Sequence, residues 1–197
     1  MKIAISNSIL DNFVLKNKEY LVDETYYDLP SGQQEYHLYS YLSIFFNNTT
    51  ILDIGTLNGR SAVSLSHNES NRVISYDIVD SINIPKHKIY TKPNIEFRIK
   101  DVLEDLTEEL IKKVKIIVID IDHFETIETK IIKKLDELKF SGIILLDDIH
   151  HPEPVMNFCM QKLWNNLPYK KLDISRYGHW SGTGVVFMNT DIEFDFQ

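Results

Sequence analysis

The stretch Ile51-Leu52-Asp53-Ile54-Gly55-Thr56-Leu57-Asn58-Gly59-Arg60-Ser61-Ala62 constrains the fold more than any other part of the chain. A short apolar run ends in an acid. A Gly-x-x-x-Gly turn follows, and apolar residues then return at helical spacing. That order describes a strand, a tight turn and a helix N-terminus, the opening unit of a doubly wound α/β domain. Dinucleotide binding requires G-x-G-x-x-G, whose second glycine lets backbone approach a pyrophosphate. Here Leu57 holds the second place and Arg60 the third. The Gly-Lys-Ser/Thr start of a phosphate loop is missing as well. The turn therefore suits an adenosine ligand that carries no phosphates.

Strand and helix patterns alternate downstream. Residues 72–77, 95–99, 115–120 and 142–147 read as strands. The run at 115–120 is almost unbroken in its apolar character, as a strand buried on both faces requires. Residues 58–67, 103–112, 125–139 and 154–166 read as helices. In the third of these, Ile127, Ile131, Leu135 and Leu138 share one face. Residues 169–175 and 184–188 are strands close enough in sequence to pair antiparallel. Ahead of the first of these strands, residues 32–46 carry Tyr36, Tyr39, Leu42 and Phe46 at helical spacing. The expectation is one α/β domain. A doubly wound, mostly parallel seven-stranded sheet with helices on both faces spans 49–197, behind an N-terminal helical cap at 1–48.

Composition excludes several function classes. The net charge is −8, and no lysine or arginine stripe is visible. Non-specific nucleic-acid binding rests on neutralising phosphates, so it is not expected here. Cys159 is the only cysteine, which excludes a disulfide framework and a cysteine-based zinc site. No signal-peptide pattern opens the chain, and no apolar run approaches the ~18 residues of a membrane span. A cytoplasmic enzyme or binding protein that acts away from membranes is expected. The N-terminal segment is open to two uses, a lid or a homodimer surface.

Asp53, Asp77, Asp120 and Asp147 each close a predicted strand, and Asp101 follows another. Ligands of open α/β sheets bind outside the carboxyl ends of the strands, so these acids rim one crevice. Asp77 is placed to accept the hydroxyls of a ribose. Asp101 is placed either to accept from an adenine amino group, with Val102 against the ring, or to cap the helix after it. S-adenosylmethionine is the common phosphate-free adenosine ligand.

Asp120-Ile121-Asp122-His123 and Asp147-Asp148 form the densest chemical cluster. Carboxylates gathered at one spot suit a hard divalent cation, Mg²⁺ before Ca²⁺ or Mn²⁺. Such an ion would bind a substrate hydroxyl and lower its pKa. Asp122 or His123 would then take the proton. Of the neighbours His150 and His151, at most one is expected to serve a site. Gly178-His179-Trp180-Ser181-Gly182 offers His179 and Trp180 to an acceptor pocket, or is a plain hairpin connection.

The chain resembles class I S-adenosylmethionine-dependent methyltransferases over about residues 33–188. It is most similar to small-molecule O-methyltransferases of the catechol and macrolide-sugar type. Leu52-Asp53-Ile54-Gly55-Thr56-x-x-Gly59-x-Ser61-Ala62 matches the cofactor loop. Ile119-Asp120-Ile121-Asp122-His123 matches the motif after the fourth strand, with Ile121 in place of the usual glycine. Leu146-Asp147-Asp148-Ile149 matches that of the fifth. The resemblance implies a Rossmann-like methyltransferase fold with its final strand antiparallel. It implies cofactor contacts from Asp53, Gly55, Thr56, Asn58, Gly59, Ser61, Asp77, Asp101, Val102 and Asp120. It also implies Mg²⁺ on Asp120, Asp147 and Asp148. Catechol-type relatives place a lysine base where this chain has His123, so Asp120, Asp122 or His123 is the expected catalytic group. A hydroxyl of a small molecule or glycan is the expected acceptor, with His150, His179 and Trp180 around it. The rival readings are a nicotinamide-dependent oxidoreductase, a hydroxylase-like enzyme of the same fold and a non-catalytic cofactor-binding subunit.

Overall fold

The computed structural model of the chain describes residues 1–84 and 86–197. Strand β1 (Lys2–Ile5) and helices α1 (Asn7–Asp11) and α2 (Tyr36–Ser43) precede the main alternation. There follow β2 (Thr50–Ile54), α3 (Arg60–Leu65), β3 (Arg72–Asp77), β4 (Ile95–Ile99), α4 (Glu108–Ile111) and β5 (Val114–Ile119). The chain ends with α5 (Thr126–Glu137), β6 (Gly142–Asp147), α6 (Pro154–Asn166), β7 (Lys170–Asp173), β8 (Thr183–Met188) and β9 (Glu193–Phe196).

Seven strands form one sheet in the order β4-β3-β2-β5-β6-β8-β7. The first five are parallel, and β8 runs antiparallel between β6 and β7. The chain winds outward from β2 to β4, then returns to place β5 against the other edge of β2. The direction of winding reverses between β2 and β5, and the crevice outside their carboxyl ends is where an open sheet of this kind receives a ligand. Asp53 and Asp120 therefore belong to neighbouring strands at the switch point.

Alternation along each strand builds two cores. Ile51, Val73, Ile116, Val118, Ile143, Leu145 and Val185 join Leu38, Leu42, Ala62 and Leu65 on one face. Leu52, Ile74, Ile117, Ile119, Ile144, Leu146 and Val186 join Ile131, Leu135, Met160 and Trp164 on the other. With both faces covered, the strands need apolar residues at successive positions, which is why β5 and β6 read as continuous apolar runs.

Two elements differ from the sequence expectation. Residues 1–48 are not helical throughout, because β1 pairs in parallel with β9 as a separate two-stranded sheet, Lys2 opposite Glu193 and Ile5 opposite Phe196. Ile3 and Ile5 are wholly buried in the same core as Leu38. A four-residue strand whose partner lies at the far end of the chain leaves no local periodic signal. The helix expected at 103–112 is broken into a 3-10 turn, Val102–Glu104, and α4. The Thr107 side chain accepts from Leu110 N at 3.3 Å and starts the second piece afresh. Among the described residues, no helix is long and apolar enough to cross a membrane.

Candidate functional site

Gly55 makes the crevice. Its φ is +110°, and a Cβ there would stand 1.7 Å from the Asp120 carbonyl oxygen. Only glycine lets β2 leave its strand so close to β5. Asp120 N donates to the Ile54 carbonyl at 2.9 Å and holds the two strand ends together. Gly59, at φ +79°, starts α3 in the left-handed region that glycine favours.

A cavity of about 700 Å³ opens over this junction. Gly55, Asp77, Asp101, Val102 and Asp120 line it, together with Asp122 and His123. Five expected cofactor residues and all three expected catalytic ones, Asp120 counting in both sets, thus share one space. Asp77 organises the near wall: Oδ2 accepts from Leu57 N and Oδ1 from Val79 N, each at 3.1 Å. Asp101 caps the 3-10 turn by accepting from Leu103 N at 2.9 Å while it faces the cavity, so its two expected roles coexist.

The other expected cofactor residues do not line this cavity. Asp53 is wholly buried beneath the loop, where its Oδ2 accepts from Ser75 Oγ at 2.6 Å. Thr56 Oγ1 lies 2.6 Å from the same Ser75 hydroxyl. Burial pushes the Asp53 carboxyl up to about 6, with the Ser75 and Ser61 hydroxyls pulling the other way. Gly59 is buried and Asn58 contacts its neighbour Arg60. Asp53, Thr56, Asn58, Gly59 and Ser61 shape the loop from behind.

His123 stands where β5 gives way to α5, with φ +58°. The Glu128 carboxylate, buried on α5, accepts from His123 N at 3.0 Å and steadies that backbone. The ring nitrogen Nε2 lies 3.5 Å from Asp120 Oδ1 and 3.4 Å from Asp148 Oδ2. Burial moves the imidazole pKa below its ordinary value, against the pull of Asp148 and Asp147. Asp122 is exposed, and its Oδ1 accepts from Phe124 N at 3.3 Å. Asp120 sits among acids: desolvation first, then the carboxylates of Asp147, Glu35 and Asp148, raise its pKa well above the usual range.

Asp148 is encircled by imidazoles. His123 Nε2, His179 Nδ1 and His151 Nε2 lie 3.4, 3.5 and 3.6 Å from its carboxylate oxygens, and the Ser181 hydroxyl donates to it. Desolvation pushes the Asp148 carboxyl up, but the bonds from His179 and Ser181 and the charge of His123 bring it below the ordinary value. His179 is raised to about 10; burial opposes this, and Asp147 and Asp148 outweigh it. Trp180 is exposed, with its ring edge toward His179 at 5.5 Å.

One sequence expectation is corrected here. His150 does not join the cluster: its Nε2 lies 2.6 Å from Asp173 Oδ2 and its Nδ1 2.9 Å from Gln161 Nε2. It is His151 that reaches Asp148. Asp120, Asp147 and Asp148, the set expected to hold Mg²⁺, are close enough for Asp147 and Asp148 to raise the Asp120 pKa. Among the described residues, the one trio whose ligand atoms all lie within 4.8 Å of one another is Glu35, Asp147 and His179. Asp148 is instead contacted by the imidazoles of His123, His151 and His179. Glu35 escaped the sequence reading because it precedes α2, in a segment without a motif. Burial first, then Asp147, pushes its carboxyl up to about 8.

No protein-family model and no curated protein matches the chain. Solved structures do. An O-methyltransferase from Bacillus cereus in complex with S-adenosylhomocysteine superposes with a TM-score of 0.56 at 16% identity, over 92% of this chain and 96% of that one. A Podospora anserina methyltransferase bound to S-adenosylhomocysteine gives 0.53 at 16% identity, over 77% and 78%. An S-adenosylmethionine-dependent O-methyltransferase from Thermotoga maritima gives 0.51 at 14% identity, over 77% and 64%. The chain therefore has the Rossmann-like methyltransferase fold.

Proposed function

We propose that this chain is an S-adenosylmethionine-dependent O-methyltransferase acting on a hydroxyl of a small polar acceptor, a sugar or glycan. One observation carries the reading: the cavity at the switch point is lined by the adenosine-type residues Asp77, Asp101 and Val102 and also by His123. The donor set suits the cofactor. Asp77 would accept from the ribose hydroxyls and Val102 would pack against adenine, and the loop at 55–60 lacks the glycine pattern of a phosphate cradle.

When bound, S-adenosylmethionine supplies an electrophilic methyl group on a sulfonium, which an acceptor oxygen takes as the carbon–sulfur bond breaks. The chain has to position the acceptor hydroxyl and remove its proton. Positioning accounts for most of such a displacement. His123 is the base. Asp120 and Asp148 sit at its Nε2, so they fix the tautomer that leaves Nδ1 free to accept the proton. They also stabilise the imidazolium that results, the logic of a carboxylate behind a catalytic histidine. Asp122 extends the wall toward solvent with a carboxylate, a group that recognises hydroxyl-bearing rings.

Calorimetric titration with S-adenosylhomocysteine tests the cofactor assignment. Micromolar binding is expected, and its absence overturns the reading in favour of nicotinamide cofactors as the next ligands. A panel of polyols, nucleotide sugars and catechols, assayed by transfer of labelled methyl, then tests the acceptor class. Transfer confined to catechols would sink the sugar assignment.

A further inference from the structure

Glu35, Asp147 and His179 come from three distant parts of the chain: the residue before α2, the end of β6 and the loop before β8. One ligand atom from each lies within 4.8 Å of the other two. Glu35 is 5% exposed and Asp147 4%. Glu35 Oε2 and Asp147 Oδ1 are both buried without a hydrogen-bond partner. Among the described residues, only His179 Nδ1, at 3.5 Å, pairs with Asp147 Oδ1; that nitrogen lies 2.6 Å from Ser181 Oγ, and a metal ion bound there would displace its proton. A carboxylate oxygen buried with no partner loses its hydration without compensation. Two such oxygens in a trio this close offer a bound ion ligand atoms that the protein itself leaves without a hydrogen-bond partner.

None of the three residues lines the cofactor cavity. The trio is therefore separate from the adenosine-type wall, although Asp147 adjoins Asp148 behind His123. Its donor chemistry is two hard oxygens and one imidazole nitrogen. Mg²⁺ and Ca²⁺ take all-oxygen sets, whereas an imidazole shifts preference toward Zn²⁺ and its first-row neighbours. Three protein ligands leave coordination positions for water, as open zinc sites do.

We propose that Glu35, Asp147 and His179 form a binding site for a divalent first-row transition-metal ion of the Zn²⁺ type. The site is distinct from the Asp120, Asp147 and Asp148 set, and the inference stands without the methyl-transfer reading. Its consequence for the fold is direct. The ion would tie the segment before α2 to β6 and to the loop carrying His179 and Trp180, closing one side of the acceptor region.

The test uses the full chain stripped of metal and titrated with Zn²⁺ alone by calorimetry, with Mg²⁺ titrated in parallel. One equivalent of Zn²⁺ is expected, bound more tightly than Mg²⁺. Glu35→Gln and His179→Gln should each weaken it at least tenfold, and His123→Gln should leave it unchanged. Far-ultraviolet circular dichroism confirms that each variant is folded. Should either fail to fold, Co²⁺ added to the wild-type protein decides the matter, since its visible absorption reports a mixed nitrogen and oxygen ligand shell. No stoichiometric Zn²⁺ heat, no Co²⁺ band, or binding that survives in folded Glu35→Gln and His179→Gln would overturn the proposal. So would loss of binding in His123→Gln. S-adenosylhomocysteine titrated into the same samples reports on the cofactor cavity separately, so failure of either proposal is distinguishable from failure of the other.

Discussion

His123 and Asp148 leave neighbouring strands in the same left-handed backbone conformation, at φ 58° and 57°, and their side chains meet with Nε2 3.4 Å from Oδ2. Left-handed backbone at a residue other than glycine is uncommon, and histidine and aspartate are among those that enter it most readily. Such outliers persist where surrounding structure fixes them, and they cluster at working sites. Here Glu128 holds one turn through His123 N, and Ser181 with His151 and His179 hold the other. The strained turns aim a base and its carboxylate at one place.

Replacing His123 with Gln should lower kcat by roughly 10²–10⁴, the usual worth of a general base, while leaving S-adenosylhomocysteine affinity unchanged. Steady-state kinetics with the acceptor found by the panel, paired with calorimetry, checks both halves. Full turnover in His123→Gln would assign the proton to another group.

Asp77 spends one bond per carboxylate oxygen on the loop, to Leu57 N and Val79 N. Each oxygen keeps a lone pair for a ribose hydroxyl. Asp77→Asn should weaken S-adenosylhomocysteine binding by about 1.5–3 kcal/mol, the value of hydrogen bonds to a charged partner. Equal affinity in the two proteins would place the ribose elsewhere.

Burial pushes the Asp53 carboxyl up to about 6 in the fold, well above the ordinary carboxylate value. The native state therefore holds its proton more tightly than the unfolded chain. The associated stability is fully present below the unfolded value and is lost as pH rises through about 6. Wild type should lose roughly 3 kcal/mol relative to Asp53→Asn between about pH 4 and pH 7. Urea unfolding of both proteins across that range gives the difference directly, and a pH-independent difference would contradict the buried, partly unpartnered carboxyl.

Gly55→Ala puts a Cβ 1.7 Å from the Asp120 carbonyl oxygen, at a φ that side chains avoid. Backbone on both strands has to move, so a loss of at least about 3 kcal/mol is expected. A melting temperature equal to wild type would show that β2 and β5 separate without cost.

The strands of the main sheet, the acids at the strand ends and the covering helices other than the broken one at 103–112 were legible in the sequence. Each rests on a local rule: apolar runs for doubly covered strands, glycine for a close approach, aspartate at a turn. The cavity lining by Gly55, Asp77, Asp101, Val102, Asp120 and His123 follows from those rules and from the switch point alone. Other features depended on the tertiary structure. The pairing of β1 with β9, and the meeting of Glu35 with Asp147 and His179, join positions far apart in the chain, and no local pattern encodes a contact of that kind. The choice of His151 over His150 is settled by the turn that begins with Asp148 at φ 57°, which sends adjacent side chains to different partners. Sequence placed the functional groups along the chain, and packing decided which of them share a site, because side-chain direction beyond a turn is set by the three-dimensional course of the backbone.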